Sequence, residues 1–142
     1  IRRPPRSTLS SSSAASDVYK RQDDYSTARR NIKNYLIELG FTCLEADDGD
    51  QAMAIILHNP LNLVLADVKM PKKNGLELLE GIRDDENLKD LPVILTMIEP
   101  IEEMIKAGMD LGMNDYIVKP FDVFMLSKVL DKVIETELGE SL

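Results

Sequence analysis

The chain has 142 residues, of which 44% are hydrophobic and 30% charged, a composition typical of one globular domain with one core. Its formal net charge of -8 argues against nucleic-acid binding as the main activity, and no apolar stretch approaches the length of a membrane span. The single cysteine, Cys43, excludes an internal disulfide and favours a reducing cytoplasm, so we expect a cytoplasmic protein.

Residues 1–22 form a basic, Ser-rich segment without apolar periodicity, which predicts disorder. The segment has no continuous apolar region of the kind that secretory signals carry. It resembles translated sequencing-adapter read-through, and we interpret it as a non-native tail. The alternative is a native basic tail that binds a membrane surface or nucleic acid.

This tail occupies the position where a first, central strand is expected. Doubly buried strands read as runs of Val, Ile and Leu. Directly before Asp23 and Asp24 the chain instead holds Lys20 and Arg21, and burying these charges without partners costs several kcal/mol each. We therefore predict that the sequence of the first strand is damaged.

From residue 23 onward, helical and strand patterns alternate. Strands alternating with helices imply a parallel sheet with helices on both faces. Counting the damaged first strand, right-handed crossovers with one topological switch favour a flavodoxin-like (βα)5 fold with strand order 2-1-3-4-5. We expect one domain over residues 23–138 and a short tail at 139–142. In chain order, the pattern predicts a helix to 39, a strand at 41–46, a helix from 49 to about 59, a strand at 61–66, a helix at 75–83, a strand at 91–97, a helix at 101–111, a strand at 115–118 and a last helix from 122.

Charged residues follow three of the predicted strands. Asp23 and Asp24 follow the position expected for the first strand, Asp67 follows the apolar run at 61–66, and Lys119 follows the last strand. Because parallel strands bring their carboxyl ends to one edge of the sheet, these side chains are expected to converge. Each alone is equally well explained as a solvated loop charge. Together they favour a site for a hard divalent cation and a phosphoryl group.

Four motifs carry a resemblance to a known family. They are DDYSTARR at 23–30, DVKMP at 67–71, GLELL at 75–79 and GMNDYIVKPF at 112–121. On these motifs, residues 23–137 resemble the receiver domain of two-component response regulators, with chemotaxis-type regulators especially similar. The spacing of the acidic pair at 23–24, Asp67 and the Lys119-Pro120 pair is specific to this family, although any one of these features alone would be weak evidence.

The resemblance implies a phosphorelay function. Asp67 would be the phosphoacceptor that attacks the phosphohistidine of a sensor histidine kinase or phosphotransfer protein. Mg²⁺ would be held by Asp24 and Asp67 directly, by Asp23 through water and by the backbone carbonyl of Lys69. Lys119 would pair with the phosphoryl oxygens, which neutralises charge that grows during transfer.

The resemblance also implies a switching mechanism. Tyr116 would change rotamer on activation, and the peptide bond from Lys119 to Pro120 would be cis. An output partner is expected on the face formed by the fourth helix, fifth strand and fifth helix, with no direct contact to nucleic acid or membrane. The chain would phosphorylate and dephosphorylate itself without acting as an enzyme on an external substrate.

The chain departs from the family at the end of the fourth strand. Where the family places a Ser or Thr, ungapped spacing to Lys119 places Met97, and Ile98 occupies a position that is usually small. Thr96 is expected to face the other way, because strand side chains alternate, unless a local bulge returns it to the site. These residues favour an alternative, a pseudo-receiver that binds partners without switching by phosphorylation.

Two enzyme or cofactor classes are weaker alternatives. A Mg²⁺-dependent phosphatase with an aspartyl nucleophile typically carries a second acid two residues later, where this chain has Lys69. A flavin-binding domain is disfavoured because Asp23 and Asp24 would repel the flavin phosphate. The phosphoacceptor receiver domain is therefore the prediction of choice.

Overall fold

The computed structural model describes residues 6–11, 30–69 and 74–135, the first of these ranges by its backbone alone. It alternates strands and helices along the chain, as the sequence pattern predicts. In order these are β1 (Arg6–Ser11), α1 (residues 30–38 of the described part), β2 (Phe41–Ala46), α2 (Gly49–His58), β3 (Leu63–Asp67), α3 (Gly75–Asp84), β4 (Val93–Met97), α4 (Glu102–Leu111), β5 (Asp115–Val118) and α5 (Val123–Val133).

The strands form one parallel, five-stranded sheet in the order β2-β1-β3-β4-β5, which confirms the predicted flavodoxin-like topology. Leu63 to Ala66 of β3 pair on one side with Thr8 to Ser11 of β1. On the other side Asp67 pairs with Thr96 of β4. The carboxyl ends of the central strands therefore meet at one edge of the sheet.

The position of β1 differs from the prediction. Arg6–Ser11 pairs with both β2 and β3, whereas the sequence pattern predicts disorder over residues 1–22. An unfilled position between β2 and β3 would leave the facing N–H and C=O groups of both strands unpaired, and the backbone of Arg6–Ser11 supplies their partners. The segment 18–22, where the damaged strand was expected, and the tail at 139–142 lie outside the described residues.

Two apolar layers cover the sheet. Alternate side chains of β3 point to opposite faces: Val64 and Ala66 pack with α2, α3 and α4, whereas Leu63 and Leu65 pack with α1 and α5. Both faces of β3 and β4 are therefore buried, which explains their continuous apolar runs. No helix in the described ranges is both long and apolar enough to cross a membrane.

Side-chain caps fix where α2, α3 and α5 begin. Asp48 accepts a hydrogen bond from the backbone of Gln51 at the start of α2, and Asp122 does the same for Met125 at the start of α5. At α3, Asn74 and Glu77 form a reciprocal capping box, with each side chain bonded to the other residue's backbone N–H. These caps fix the loops that follow β3 and β5.

Arg83 ties three chain segments together at the end of the sheet opposite to Asp67. Its guanidinium donates to the carbonyl oxygens of Gly112 and Leu91 and to Oδ1 of Asn114 over 2.7 to 3.1 Å. Replacing Arg83 with Ala should lower the free energy of unfolding by about 2 kcal/mol, because partly buried acceptors lose a charged donor.

Urea unfolding monitored by circular dichroism measures this loss. Arg30→Ala is the matched control, since Arg30 is exposed on α1 and its loss should change stability by no more than about 0.5 kcal/mol. Equal losses of stability in the two variants would contradict the stabilising role assigned to the hydrogen bonds of Arg83.

Cys43 is a half-buried thiol beside the ion pair of Lys33 and Glu45, whose charged atoms are 3.0 Å apart. The pKa of the thiol is raised from 9.0 to about 11, mainly by burial and also by the Glu45 carboxylate, while Lys33 opposes the shift. Because the folded state keeps the proton that the unfolded state loses, Cys43 stabilises the fold fully below pH 9, and this contribution disappears towards pH 11.

We therefore expect the free energy of unfolding to fall more steeply between pH 9 and about 11 in the natural chain than in Cys43→Ala. Urea titrations of both chains across this range measure the difference. Identical pH dependence in the two chains would show that the thiol does not contribute.

Candidate functional site

Asp67 is the last residue of β3 and is only 4% exposed, although its neighbours Leu63 and Leu65 on the same face are apolar. A carboxylate buried at the end of an apolar strand is costly unless charged or hydrogen-bonding groups compensate it. Lys119 and Thr96 are such groups. Asp67 therefore lies at the carboxyl edge of the sheet, as predicted.

The start of α3 packs directly against the backbone of Asp67. The N–H of Gly75 donates to the carbonyl oxygen of Val68 at 2.9 Å. A Cβ atom at Gly75 would lie 2.3 Å from the carbonyl oxygen of Asp67. Only glycine therefore permits this approach, and it fixes the backbone on which the Asp67 side chain stands.

Lys119 reaches Asp67 from the loop after β5. Its ammonium nitrogen is 2.6 Å from Oδ1 of Asp67, and its side chain is 21% exposed. The backbone N–H of Lys119 donates to the carbonyl oxygen of Met97, which anchors this loop to the end of β4. The peptide bond from Lys119 to Pro120 is cis, as expected.

Thr96 also contacts Asp67, which corrects the prediction that it faces away from the site. Its hydroxyl donates a hydrogen bond to Oδ1 of Asp67, and its side chain is 2% exposed. No bulge is involved, because β4 pairs without interruption with β3 and β5. Asp67 and Thr96 are register partners on adjacent parallel strands, so their side chains share one face.

Met97 and Tyr116 lie on the opposite face from Thr96. Met97 is buried in the layer beneath α2, α3 and α4, and Tyr116 packs against this layer from β5. The alternation that directs Thr96 towards Asp67 thus directs Met97 towards the face of Tyr116. The hydroxyl that contacts Asp67 and the predicted switch tyrosine are separated by the sheet.

The predicted metal ligands are only partly described. Asp23 and Asp24 lie outside the described residues, and they do not directly follow β1, which ends at Ser11. Lys69 follows Asp67 by two residues and lies exposed at the same edge. Within the described ranges, no group of three or more His, Cys, Asp or Glu side chains is arranged to hold a metal ion.

An open pocket of about 170 Å³ lies over these groups. The polar residues that line it are Asp67, Lys69, Thr96, Glu99 and Lys119. Its other wall is apolar and includes Ile98, which is 65% exposed and belongs to the loop before α4. Ile98 therefore borders the pocket with most of its side chain in solvent.

Comparisons with known proteins agree with this arrangement. The family model of the response regulator receiver domain matches residues 22–131. The chain belongs to the response regulator receiver domain family. Receiver domains are signalling modules of two-component systems, and this family membership confirms the resemblance read from the motifs.

The curated relatives include chemotaxis regulators. The receiver domain is 44% identical to the chemotaxis protein CheY-3 of Vibrio cholerae over 114 residues, which cover 80% of this chain and 88% of the relative. It is 40% identical to the chemotaxis protein CheY of Pseudomonas aeruginosa over 118 residues, which cover 82% of this chain and 95% of the relative.

A solved structure shows the same fold. The receiver domain of a sensor histidine kinase from Pseudomonas aeruginosa matches with a TM-score of 0.77 at 22% identity, covering 96% of this chain and 99% of that one. That structure holds a magnesium ion coordinated in its active site cleft. At this identity, the likeness concerns the fold of the receiver domain.

Proposed function

We propose that Asp67 accepts a phosphoryl group from the phosphohistidine of a sensor histidine kinase or phosphotransfer protein. The observation that carries this proposal is the buried Asp67 carboxylate at the carboxyl edge of the sheet, with the Lys119 ammonium 2.6 Å away and an open pocket above. Membership of the receiver family supports it. Phosphorylation and dephosphorylation both occur on Asp67 itself, so no external substrate is turned over.

The transfer exchanges one bond for another. A carboxylate oxygen of Asp67 bonds to phosphorus while the bond from phosphorus to the imidazole nitrogen breaks, and its electron pair stays on the imidazole. The phosphoryl oxygens carry negative charge throughout this in-line transfer. Lys119 projects into the pocket where these oxygens would lie, so its ammonium offsets that charge.

We further propose that Mg²⁺ binds at this edge. The carboxylate of Asp67 and the backbone carbonyl of Lys69 are oxygen donors of the kind that Mg²⁺ accepts, and Mg²⁺ needs only one or two carboxylates when waters and phosphate oxygens complete its shell. Asp23 and Asp24 join this set by the family resemblance alone. When bound, the ion neutralises charge on the phosphoryl oxygens. The magnesium in the related sensor-kinase receiver domain supports this assignment.

The output surface is proposed on the face formed by α4, β5 and α5. Phe124 and Met125 at the start of α5 are 64% and 44% exposed, and the ammonium of Lys128 lies 4.6 Å from the centre of the Phe124 ring. Exposed apolar groups of this size suit a protein partner better than nucleic acid or membrane. We place this signalling in the cytoplasm, where the free thiol of Cys43 would remain reduced.

A pseudo-receiver is the second candidate. The observation that favours it is Met97, which fills the face of Tyr116 where a hydroxyl would otherwise connect the site to that tyrosine. In this case Asp67 could be phosphorylated without moving the output surface. The candidate is distinguished by the response of Tyr116 to phosphorylation.

Acetyl phosphate with Mg²⁺ tests the proposed function. We expect labelling of the natural chain, no labelling of Asp67→Asn, and beryllofluoride-dependent changes in the nuclear magnetic resonance signals around Asp67 and Lys119. Asp115→Asn is the matched control, since Asp115 lies at the start of β5, whereas Lys119 follows the end of that strand. Equal labelling of Asp67→Asn, or none of the natural chain, would contradict the phosphoacceptor role. Labelling without any change at Tyr116 would favour the pseudo-receiver.

A further inference from the structure

Thr96 carries a buried hydroxyl that has no role in the proposed transfer. It donates a hydrogen bond to Oδ1 of Asp67, the same oxygen that lies 2.6 Å from the ammonium of Lys119. Because two donors already engage Oδ1, the phosphoryl group is expected on the other oxygen of Asp67, Oδ2. Oδ1 then becomes the carbonyl oxygen of the acyl phosphate.

We propose that Thr96 sets the lifetime of phosphorylated Asp67, by stabilising the carboxylate that leaves when the acyl phosphate is hydrolysed. The proposal rests on the phosphoacceptor function of Asp67. It assigns Thr96 a role towards the carboxyl group itself, separate from any contact with the phosphoryl oxygens.

The two donors differ in how firmly they are held. Thr96 is β-branched, 2% exposed and fixed opposite Asp67 by strand pairing, so its hydroxyl stays at Oδ1 throughout the cycle. Lys119 has a long, flexible and partly exposed side chain on a loop, and its ammonium can follow the phosphoryl oxygens. Of these two donors, the threonine therefore remains with the carboxyl group in every state.

Hydrolysis makes the carboxyl group of Asp67 the leaving group. A water oxygen bonds to phosphorus, the bond from phosphorus to Oδ2 breaks, and its electron pair returns to the carboxylate. Both hydrogens of the water leave with the dihydrogen phosphate product. Hydrogen bonds to a charged oxygen are stronger than bonds to a neutral carbonyl oxygen, so the Thr96 hydroxyl favours the products over the acyl phosphate.

The effect should fall mainly on hydrolysis. Phosphoryl transfer passes through a loose transition state, in which the bond to the leaving group is largely broken and the bond to the nucleophile is little formed. In hydrolysis the Asp67 carboxylate is the leaving group and is almost fully charged at that point. In phosphorylation it is the nucleophile, and its charge has changed little.

Thr96 also cannot relay the signal to Tyr116 by direct contact, because the two side chains lie on opposite faces of the sheet. A residue that contacts the reacting carboxyl group but not the switch residue is suited to setting how long Asp67 remains phosphorylated. Its function would then be visible in the decay of the acyl phosphate.

The test compares Thr96→Val, which keeps the shape but removes the donor, with Thr96→Ser, which keeps the hydroxyl. The 142-residue chains are labelled with acetyl phosphate and Mg²⁺. The acetyl phosphate is then removed, and the decay of the phosphorylated protein is followed. We expect Thr96→Val to lengthen the half-life by about tenfold, the value of one hydrogen bond to a charged group, and to raise the phosphorylation rate by much less. Thr96→Ser should restore a decay close to that of the natural chain.

Thr42→Val, at an exposed position on β2, is the matched control and should leave the decay unchanged. An unchanged or shortened half-life in Thr96→Val would overturn the proposal while leaving the phosphoacceptor function intact. Loss of labelling in Thr96→Val alone would also overturn it, since a structural role would then explain the contact. Absence of labelling in the natural chain would instead overturn both the inference and the proposed function.

Discussion

Replacing Lys119 with Ala is expected to slow the phosphorylation of Asp67 by roughly 100- to 1,000-fold, the usual effect of removing one preorganised group that stabilises developing charge. The ammonium nitrogen of Lys119 lies 2.6 Å from Oδ1 of Asp67, within the pocket above that carboxylate. Its loss would remove the ammonium that lies against the Asp67 carboxylate, in a pocket where part of the wall is apolar. Initial rates of labelling by acetyl phosphate at fixed Mg²⁺ measure the effect.

Lys89→Ala is the control for this prediction. Lys89 is exposed in the loop between α3 and β4, where it pairs with the surface carboxylate of Glu86 at 3.6 Å. Its loss should change neither labelling nor stability measurably, because exposed ion pairs contribute little. If Lys119→Ala keeps its circular dichroism spectrum and labels at the natural rate, Lys119 does not serve the transfer.

Replacing Gly75 with Ala is expected to lower the free energy of unfolding by about 3 kcal/mol and to abolish most labelling of Asp67. The added Cβ would lie 2.3 Å from the backbone carbonyl oxygen of Asp67 and 2.9 Å from its carbonyl carbon. Neither atom belongs to a flexible side chain, so α3 or the end of β3 must move. Thermal unfolding and acetyl phosphate labelling of the same preparation measure both effects.

Gly81→Ala in the same helix is the matched control. A Cβ there would meet only the side chain of Met53, at 3.7 Å, which is ordinary contact. This substitution should stabilise the protein by up to about 1 kcal/mol, because alanine is the better helix former. Opposite signs for the two substitutions would confirm the close approach at Gly75, and stabilisation by both would contradict it.

Most of the fold follows from patterns in the sequence. β2 and β5 have the predicted bounds, and β3 and β4 are the buried apolar runs that were expected between helices. Asp67 and Lys119 meet because both follow strands of one parallel sheet, and that edge is fixed by topology. The predicted starts of α2 and α5 and the predicted end of α4 agree with the caps found at Asp48, Asp122 and Gly112.

Two features were missed for physical reasons. Counting back from Lys119 places Met97 at the family's Ser or Thr position, and strand alternation then turns Thr96 away from the site, whereas the face of Thr96 depends on the register between β3 and β4. Reading Asp67 and Thr96 as paired positions, each next to an alternating apolar residue, would have found the contact. The strand at Arg6–Ser11 contains no run of Val or Ile that would predict it from the sequence. Its position depends instead on backbone pairing with β2 and β3.

Locating the phosphoryl group tests the central claim most directly. After treatment with acetyl phosphate and Mg²⁺, borohydride reduction converts an aspartyl phosphate to homoserine, and peptide mass spectrometry identifies the residue that changed. Phosphorylation of Asp67 predicts homoserine at position 67 in the natural chain and no homoserine in Asp67→Asn. Homoserine at another aspartate, or at none in a chain that is folded and exposed to both reagents, would contradict the account.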